Sequence, residues 1–298
     1  MAVLRFMLSA HVRRLISLAL EEDIGRGDLT SRLTLDESLQ ATARVLVKEP
    51  CRVAGLELIE AVFGALDPEV SVQRLARDGE DVDGRRAVCT LQGSAQSILA
   101  GERTALNFLA RMTGVATAAR EAAARLAGSP ARLLDTRKTT PGWRELEKYA
   151  VAVGGAHNHR YAQDDMILIK DNHIALAGGV ERALERVLAH APLFAKVEVE
   201  VDTLDQLRAA LHYPVDMILL DNMDLEQLVQ AVDIVKGRVK LEASGNMTID
   251  RLAAVAATGV DYISMGALTH AVRSTDVGLD IVLGDPDSQL RDGETAGE

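Results

Sequence analysis

KVEVEVD, residues 196–202, is the stretch whose reading decides the fold. Side chains alternate along a strand, so Glu198, Glu200 and Asp202 share one face while Val197, Val199 and Val201 share the other. The valines suit a layer of helices, which leaves three acids on the inner face of a sheet. Burying carboxylates without partners is prohibitive, so cations must stand nearby. Lys138, Lys170 and a divalent metal are the candidates. An edge strand with a solvated acidic face is the competing reading. It loses ground because Asp221 repeats the pattern at the end of DMILLDN (216–222).

The same design recurs on either side. LLDTRK (133–138), MILIK (166–170), VKLEASG (239–245) and YISMG (262–266) are short apolar runs ending in polar or glycine residues. Helical patterns lie between them, such as GGVERALERVLAH, TLDQLRAAL, LEQLVQAV and TIDRLAAVAATG. Strand–helix alternation at intervals of about 20–30 residues predicts βαβ units and a parallel sheet. Polar residues at one strand end after another are what a barrel with its site on that face requires. An open doubly wound sheet is the alternative, and it would gather its site at a single switch point.

Upstream, ARVLVKEP (43–50), VSVQRLA (70–76) and RAVCTLQGS (86–94) are β-rich and divided by turn signals at Asp67-Pro68 and Asp83-Gly84. They predict a small antiparallel sheet. At Gly101 the chain turns alanine-rich, with Leu106, Leu109, Met112 and Leu126 roughly at helical spacing. The opening MAVLRFMLSAHVRRLISLAL reads as an amphipathic helix with Ser9 near its N-cap. His11, Arg13 and Arg14 interrupt its apolar run and no A-x-A site follows, against a signal peptide. From Gly284 onward the sequence is polar without periodicity and reads as a loose tail.

Composition narrows the partners. A length of 298 residues fits two domains or a barrel with an appendage, and 48% hydrophobic residues are ample for a large core. A net charge of −11, a pI of about 5.2 and only nine aromatic residues argue against nucleic acid. The two cysteines, Cys51 and Cys89, have no CxxC spacing, which fits a reducing compartment and gives no zinc framework. No run approaches the ~18 apolar residues of a membrane span. The expectation is a soluble cytoplasmic protein.

Against that acidic background, residues 133–174 gather Arg137, Lys138, His157, His159, Arg160 and Lys170. Such a local concentration predicts a pocket for phosphates or carboxylates. Thr136-Arg137-Lys138-Thr139 follows the buried run LLD, which favours a site over a solvated loop. His157-Asn158-His159 has the alternation of paired metal ligands, but no third soft ligand lies nearby in sequence. His159 contacting a carboxylate beside Arg160 is the preferred reading. Ser244-Gly245-Asn246 joins a strand end to a helix expected near Thr248, where amides and a hydroxyl suit phosphate. Met265-Gly266-Ala267 ends the neighbouring strand, matching where barrels hold phosphate. Neither GxxxxGK[ST] nor GxGxxG occurs. Arg103, near the start of the alanine-rich helix, is by itself an ordinary surface arginine.

EEDIGRGDLTS, GERTALNFLARMTGVAT, LLDTRKTTPGWRELEKYAV, GGAHNHR, LIKDNHI, VEVEVDT, ILLDNM and LEASGNM together resemble the quinolinate phosphoribosyltransferase family, from about Glu21 to Thr269. The resemblance implies an N-terminal α/β sandwich with an antiparallel sheet, packed on an incomplete, open α/β barrel. The sandwich would comprise residues 1–101 joined by 275–298, and the barrel residues 102–274. It also implies Mg²⁺-dependent phosphoribosyl transfer from phosphoribosyl pyrophosphate to quinolinate with loss of CO₂. The assembly implied is a homodimer or larger homo-oligomer with a shared site.

By the same resemblance Arg137, His159, Arg160 and Lys170 would meet quinolinate's carboxylates, with Arg103 arriving from a neighbouring subunit. Lys138, Lys170, Glu200, Asp221, Ser244, Gly245, Asn246 and Gly266 would hold phosphoribosyl pyrophosphate, with Thr136, Met265 and Ala267 beside them. Lys138, Glu200 and Asp221 are the expected catalytic residues. Glu200 and Asp221 are also the expected Mg²⁺ ligands, partly through water or substrate. The segment Ala156–Asp165 departs from the family pattern, where a third glycine often precedes NHR. A related family associated with molybdenum transport shares the architecture and is the alternative.

Overall fold

The structure, a computed structural model, describes residues 6–282. The chain divides into two compact units, one of Met1–Thr117 with Arg273–Glu298 and the other of Ala118–Val272.

The first unit opens with α1 (Ala10–Ile24), whose Ser9 side chain accepts from the Val12 N–H at 3.2 Å. Val12, Ile16 and Leu20 recur every fourth residue and are buried on one stripe. α2 (Leu29–Thr34) is capped by Asp28, which accepts from the Thr30 and Ser31 N–H groups. Then come β1 (Gln40–Val47), β2 (Cys51–Arg52), α3 (Leu56–Leu66), β3 (Ser71–Arg74), β4 (Asp81–Val82) and β5 (Arg86–Ser94).

α4 (Ala95–Ala124) begins before Gly101, where the sequence had placed the change of character. Gly101 sits inside the helix because a side chain there would come 2.7 Å from Cε1 of Phe63 on α3. The expected boundary at residue 101 therefore falls within a continuous helix, and the two units divide at Thr117/Ala118.

The second unit alternates strands and helices: β6 (Arg132–Leu134), α5 (Arg144–Val153), β7 (Ile167–Ile169), α6 (Asp171–Ala177), α7 (Val180–His190) and β8 (Val197–Val201). It continues with α8 (Leu204–Ala210), β9 (Met217–Asp221), α9 (Leu225–Val235), β10 (Lys240–Ser244), α10 (Leu252–Ala257), β11 (Tyr262–Ser264) and α11 (Ala267–His270). β12 (Val277–Val282) then returns to the first unit and pairs antiparallel with β1, giving a sheet of order β12-β1-β5-β3. Residues 283–298, including the expected tail, lie outside the described residues.

The six strands of the second unit are parallel, in the order β6-β11-β10-β9-β8-β7. Strand neighbours follow chain order from β7 to β11, so no reversal creates a doubly wound switch point. β6 and β7 form the two edges and are not paired with each other: the barrel is open. Beside β6, His157 donates to the Leu133 carbonyl at 2.8 Å and accepts from the Asp135 N–H at 3.0 Å.

On β8 the valines are buried, as the alternation requires, and Ile218 and Leu220 of β9 have no exposure. Leu207, Leu228 and Leu252 of the surrounding helices are equally buried. Burial of each such side chain stabilises the fold by roughly 1.5–3 kcal/mol. Of the three acids on the opposite face, Glu198 and Glu200 are buried, whereas Asp202 lies past the end of β8 and is exposed. The strand ends one residue too early to carry Asp202 inward.

Candidate active site

A cavity of about 910 Å³ opens at the C-terminal ends of the parallel strands, within the second unit. The loop after β6 contributes Thr136, Arg137 and Lys138; β7 and its end contribute Leu168 and Lys170. Glu200 of β8, Leu219 and Asp221 of β9, Glu242 and Ser244 of β10 and Ser264 of β11 complete the strand contribution. His159, Arg160, Gly245, Asn246, Gly266 and Ala267 also line it. Two expected residues lie elsewhere. Met265 is buried, its N–H held by the Leu134 carbonyl at 2.9 Å, and it is absent from the cavity lining. Arg103 belongs to the first unit, is exposed, and has Glu102 at 3.9 Å.

One wall is cationic. Arg137 has a buried Nε with no acceptor. An orphaned buried donor is costly, so this guanidinium is arranged for an acceptor that the protein itself does not supply. Arg160 anchors one end on the Met166 carbonyl at 3.1 Å. Burial, and after it the nearby Arg137, lowers the Arg160 pKa. Its like-charged neighbour makes an anion between the two favourable.

The other wall is acidic. Glu200 is 8% exposed in its side chain and accepts from Lys170 Nζ at 2.6 Å. Asp221 accepts from Asn222 at 2.6 Å, and its pKa is raised by burial and then by the charges of Glu200 and Asp202. Negative charge here exceeds what Lys170 and Lys138 compensate, which suits an added cation.

The turn after β10 has the shape expected of an anion cradle. Gly245 has φ +88°, and a side chain on it would meet Asn222 at 2.3 Å, so only glycine fits. Asn246 donates to Asn222 at 3.0 Å, tying the β9 and β10 ends together. Ser244 accepts from the Ser264 hydroxyl at 3.0 Å. The helix beyond begins as a single 3₁₀ turn, Ile249–Arg251, before α10.

Beneath the cavity lie polar residues that sequence reasoning missed. Asp135 and Lys148 form a buried pair at 2.5 Å. Burial lowers the Lys148 pKa against the pull of Asp135. Asp135 also accepts from Asn158 at 2.7 Å and from the His159 N–H at 2.8 Å, and Lys148 donates to the His159 carbonyl at 3.0 Å. Glu147, likewise buried, accepts from the Thr140 N–H at 3.0 Å and hydroxyl at 2.8 Å, anchoring the Arg137–Lys138 loop.

His159 does contact carboxylates, but they are the protein's own. Its Nε2 lies 3.2 Å from Glu198 and 3.4 Å from Glu242, both fully buried. Burial opposes charge on the ring, but the two glutamates raise its pKa to about 10. Glu198 is itself raised, by burial first and by Glu242, with His159 opposing. These three residues are also, among the described residues, the group with metal-ligand proximity, their atoms lying within 4.8 Å of one another. His157, the other member of the sequence motif, is exposed. Glu242 was legible in principle: it precedes Ser244 by two residues and so faces the same side.

A barrel mouth with an arginine wall, inward carboxylates and an anion-cradling turn defines a transferase acting on multiply anionic small molecules. The chain belongs to the quinolinate phosphoribosyltransferase family: residues 28–113 match the model of that family's N-terminal domain and residues 115–280 that of its C-terminal domain. It is 41% identical to the mitochondrial quinolinate phosphoribosyltransferase [decarboxylating] 2 of Nicotiana glauca, covering 91% of this chain and 82% of that one. It is 39% identical to the probable nicotinate-nucleotide pyrophosphorylase [carboxylating] of Bacillus subtilis, covering 91% and 94%. The solved nicotinate-nucleotide pyrophosphorylase of Francisella tularensis superposes with a TM-score of 0.87 at 38% identity, over 91% of this chain and 96% of that one. The molybdenum-transport alternative finds no support among these relatives.

Proposed function

We propose that this chain joins quinolinate to the ribose of phosphoribosyl pyrophosphate and releases pyrophosphate and CO₂, giving nicotinate mononucleotide. The observation that carries the reading is the orphaned Arg137 Nε beside Arg160, a local cation excess suited to a small dicarboxylate. The identities and names of the relatives support the same substrate pair.

The pyridine nitrogen attacks the anomeric carbon as the bond to pyrophosphate breaks. Positive charge grows on the ribose, and Glu200, which accepts from Lys170, would stabilise it. Ser244, Gly245, Asn246, Gly266 and Ala267 cradle phosphate, while Lys138 faces the leaving group. Once the ring nitrogen is quaternary, the ring accepts the electron pair of the breaking carbon–carboxylate bond, and that carbon then gains a proton.

The acidic wall fits Mg²⁺. Two hard oxygen donors and surplus negative charge suit an ion that takes few protein ligands and several from phosphate or water. Glu200 and Asp221 would hold it, and when bound it supplies neutralisation of the leaving pyrophosphate. Arg103 of a neighbouring subunit would complete the carboxylate pocket in a dimer or larger assembly.

The protein is proposed to work in the cytoplasm. No helix among the described residues is long and apolar enough to cross a membrane. Cys51 and Cys89 are both buried thiols, as a reducing compartment allows.

Supplying both substrates with Mg²⁺ tests the proposal. Equal yields of pyrophosphate and CO₂ are expected. Pyrophosphate without CO₂, or neither, would overturn it.

A further inference from the structure

His159 lines the cavity, yet neither of its ring nitrogens is offered to it. Nε2 is flanked by Glu198 at 3.2 Å and Glu242 at 3.4 Å. Nδ1 is covered by the backbone N–H of Arg160 at 2.6 Å. The peptide of His159 is gripped as well, its N–H by Asp135 at 2.8 Å and its carbonyl by Lys148 at 3.0 Å. The two glutamates reach the ring from β8 and β10, on either side of β9. Their four oxygens find no well-aligned hydrogen bond, and His159 Nε2 is the donor placed between them. Two fully buried carboxylates on a barrel floor are expensive, so the arrangement persists only if the ring answers them.

We infer that Glu198 and Glu242 are positioning residues that take up the His159 ring N–H, so that His159 serves as a rigid spacer and not as a hydrogen-bond donor to substrate. The peptide that follows belongs to Arg160. Holding the ring against that peptide sets where the Arg160 guanidinium presents itself to a bound carboxylate. The two glutamates thereby govern affinity for the dicarboxylate through Arg160. The identity of that dicarboxylate rests on the proposed function; the grip on the ring does not.

The test begins with the intact enzyme without substrates. A downfield, slowly exchanging proton resonance from His159 Nε2–H is expected, missing in His159→Asn and moved upfield in Glu198→Gln and Glu242→Gln. Adding quinolinate should leave the wild-type resonance in place. In steady-state kinetics both glutamine variants should raise the quinolinate KM by about tenfold or more, with the KM for phosphoribosyl pyrophosphate unchanged.

A ring proton that exchanges at the solvent rate, or that quinolinate displaces, would overturn the inference. So would glutamine variants with the wild-type quinolinate KM. If a variant fails to fold, the wild-type resonance and its response to quinolinate still decide. If quinolinate is not turned over but the resonance behaves as expected, only the substrate assignment falls.

Discussion

Lys170 Nζ lies 2.6 Å from Glu200 Oε2, joining the cation at the end of β7 to the carboxylate inside β8. Lys170 is expected to serve the dicarboxylate and Glu200 the ribose, so the two substrate pockets share one ion pair. With Lys170 43% exposed in its side chain, the pair itself contributes little to stability. Its consequence is functional. Glu200→Ala releases Lys170 to the dicarboxylate while removing the group placed against ribose charge.

The expected outcome is a kcat lower by roughly 10²–10³-fold with quinolinate affinity held or tightened. Calorimetric titration with quinolinate, beside kcat at saturation, checks it. Collapsed affinity with preserved kcat would reverse the roles given to these residues.

Stability should depend on pH through His159. Burial disfavours the charged ring, but Glu198 and Glu242 raise its pKa from 6.5 to about 10. A folded value above the unfolded one stabilises fully below about pH 6.5, and the gain is lost as pH rises through about 10. Urea denaturation of wild type and His159→Asn should therefore show a stability gap that is full at and below about pH 6.5 and narrows towards pH 10. A gap independent of pH would contradict the shift.

A shared site predicts complementation. Arg103 is exposed on α4, and the family resemblance assigns it to the site of a second copy. Arg103→Ala and Lys170→Ala enzymes should each be nearly inactive. After subunit exchange, mixed dimers would contain one site built wholly from intact residues, and activity should return. Exchange verified by tagged subunits without recovered activity would remove Arg103 from the site.

What was legible in the sequence was what strand periodicity exposes. KVEVEVD placed Glu198 and Glu200 inward because alternation allows no other arrangement beside buried valines. LEASG likewise marked the turn whose Gly245 proves sterically obligatory. Lys148 was not legible: it is a polar residue on α5, and nothing local announces burial beside Asp135. Its partner lies 13 residues away, across the loop that joins β6 to α5. Met265 follows the strand end, where its N–H is captured by Leu134 of β6 and its side chain is buried. Glu242 carries a weaker signal than Glu198 and Glu200, as the single acid in the run VKLEASG.

The central claim is that the cationic wall is built for two carboxylates. Turnover of quinolinate against nicotinate, each with phosphoribosyl pyrophosphate and Mg²⁺, tests it most directly. Nicotinate brings one carboxylate to Arg137 and Arg160, which leaves the buried Arg137 Nε or its neighbour short of an acceptor at a cost of about 2–5 kcal/mol. The account predicts turnover of quinolinate with a kcat/KM at least roughly thirtyfold above that for nicotinate. Comparable kcat/KM values for the two acids would contradict it.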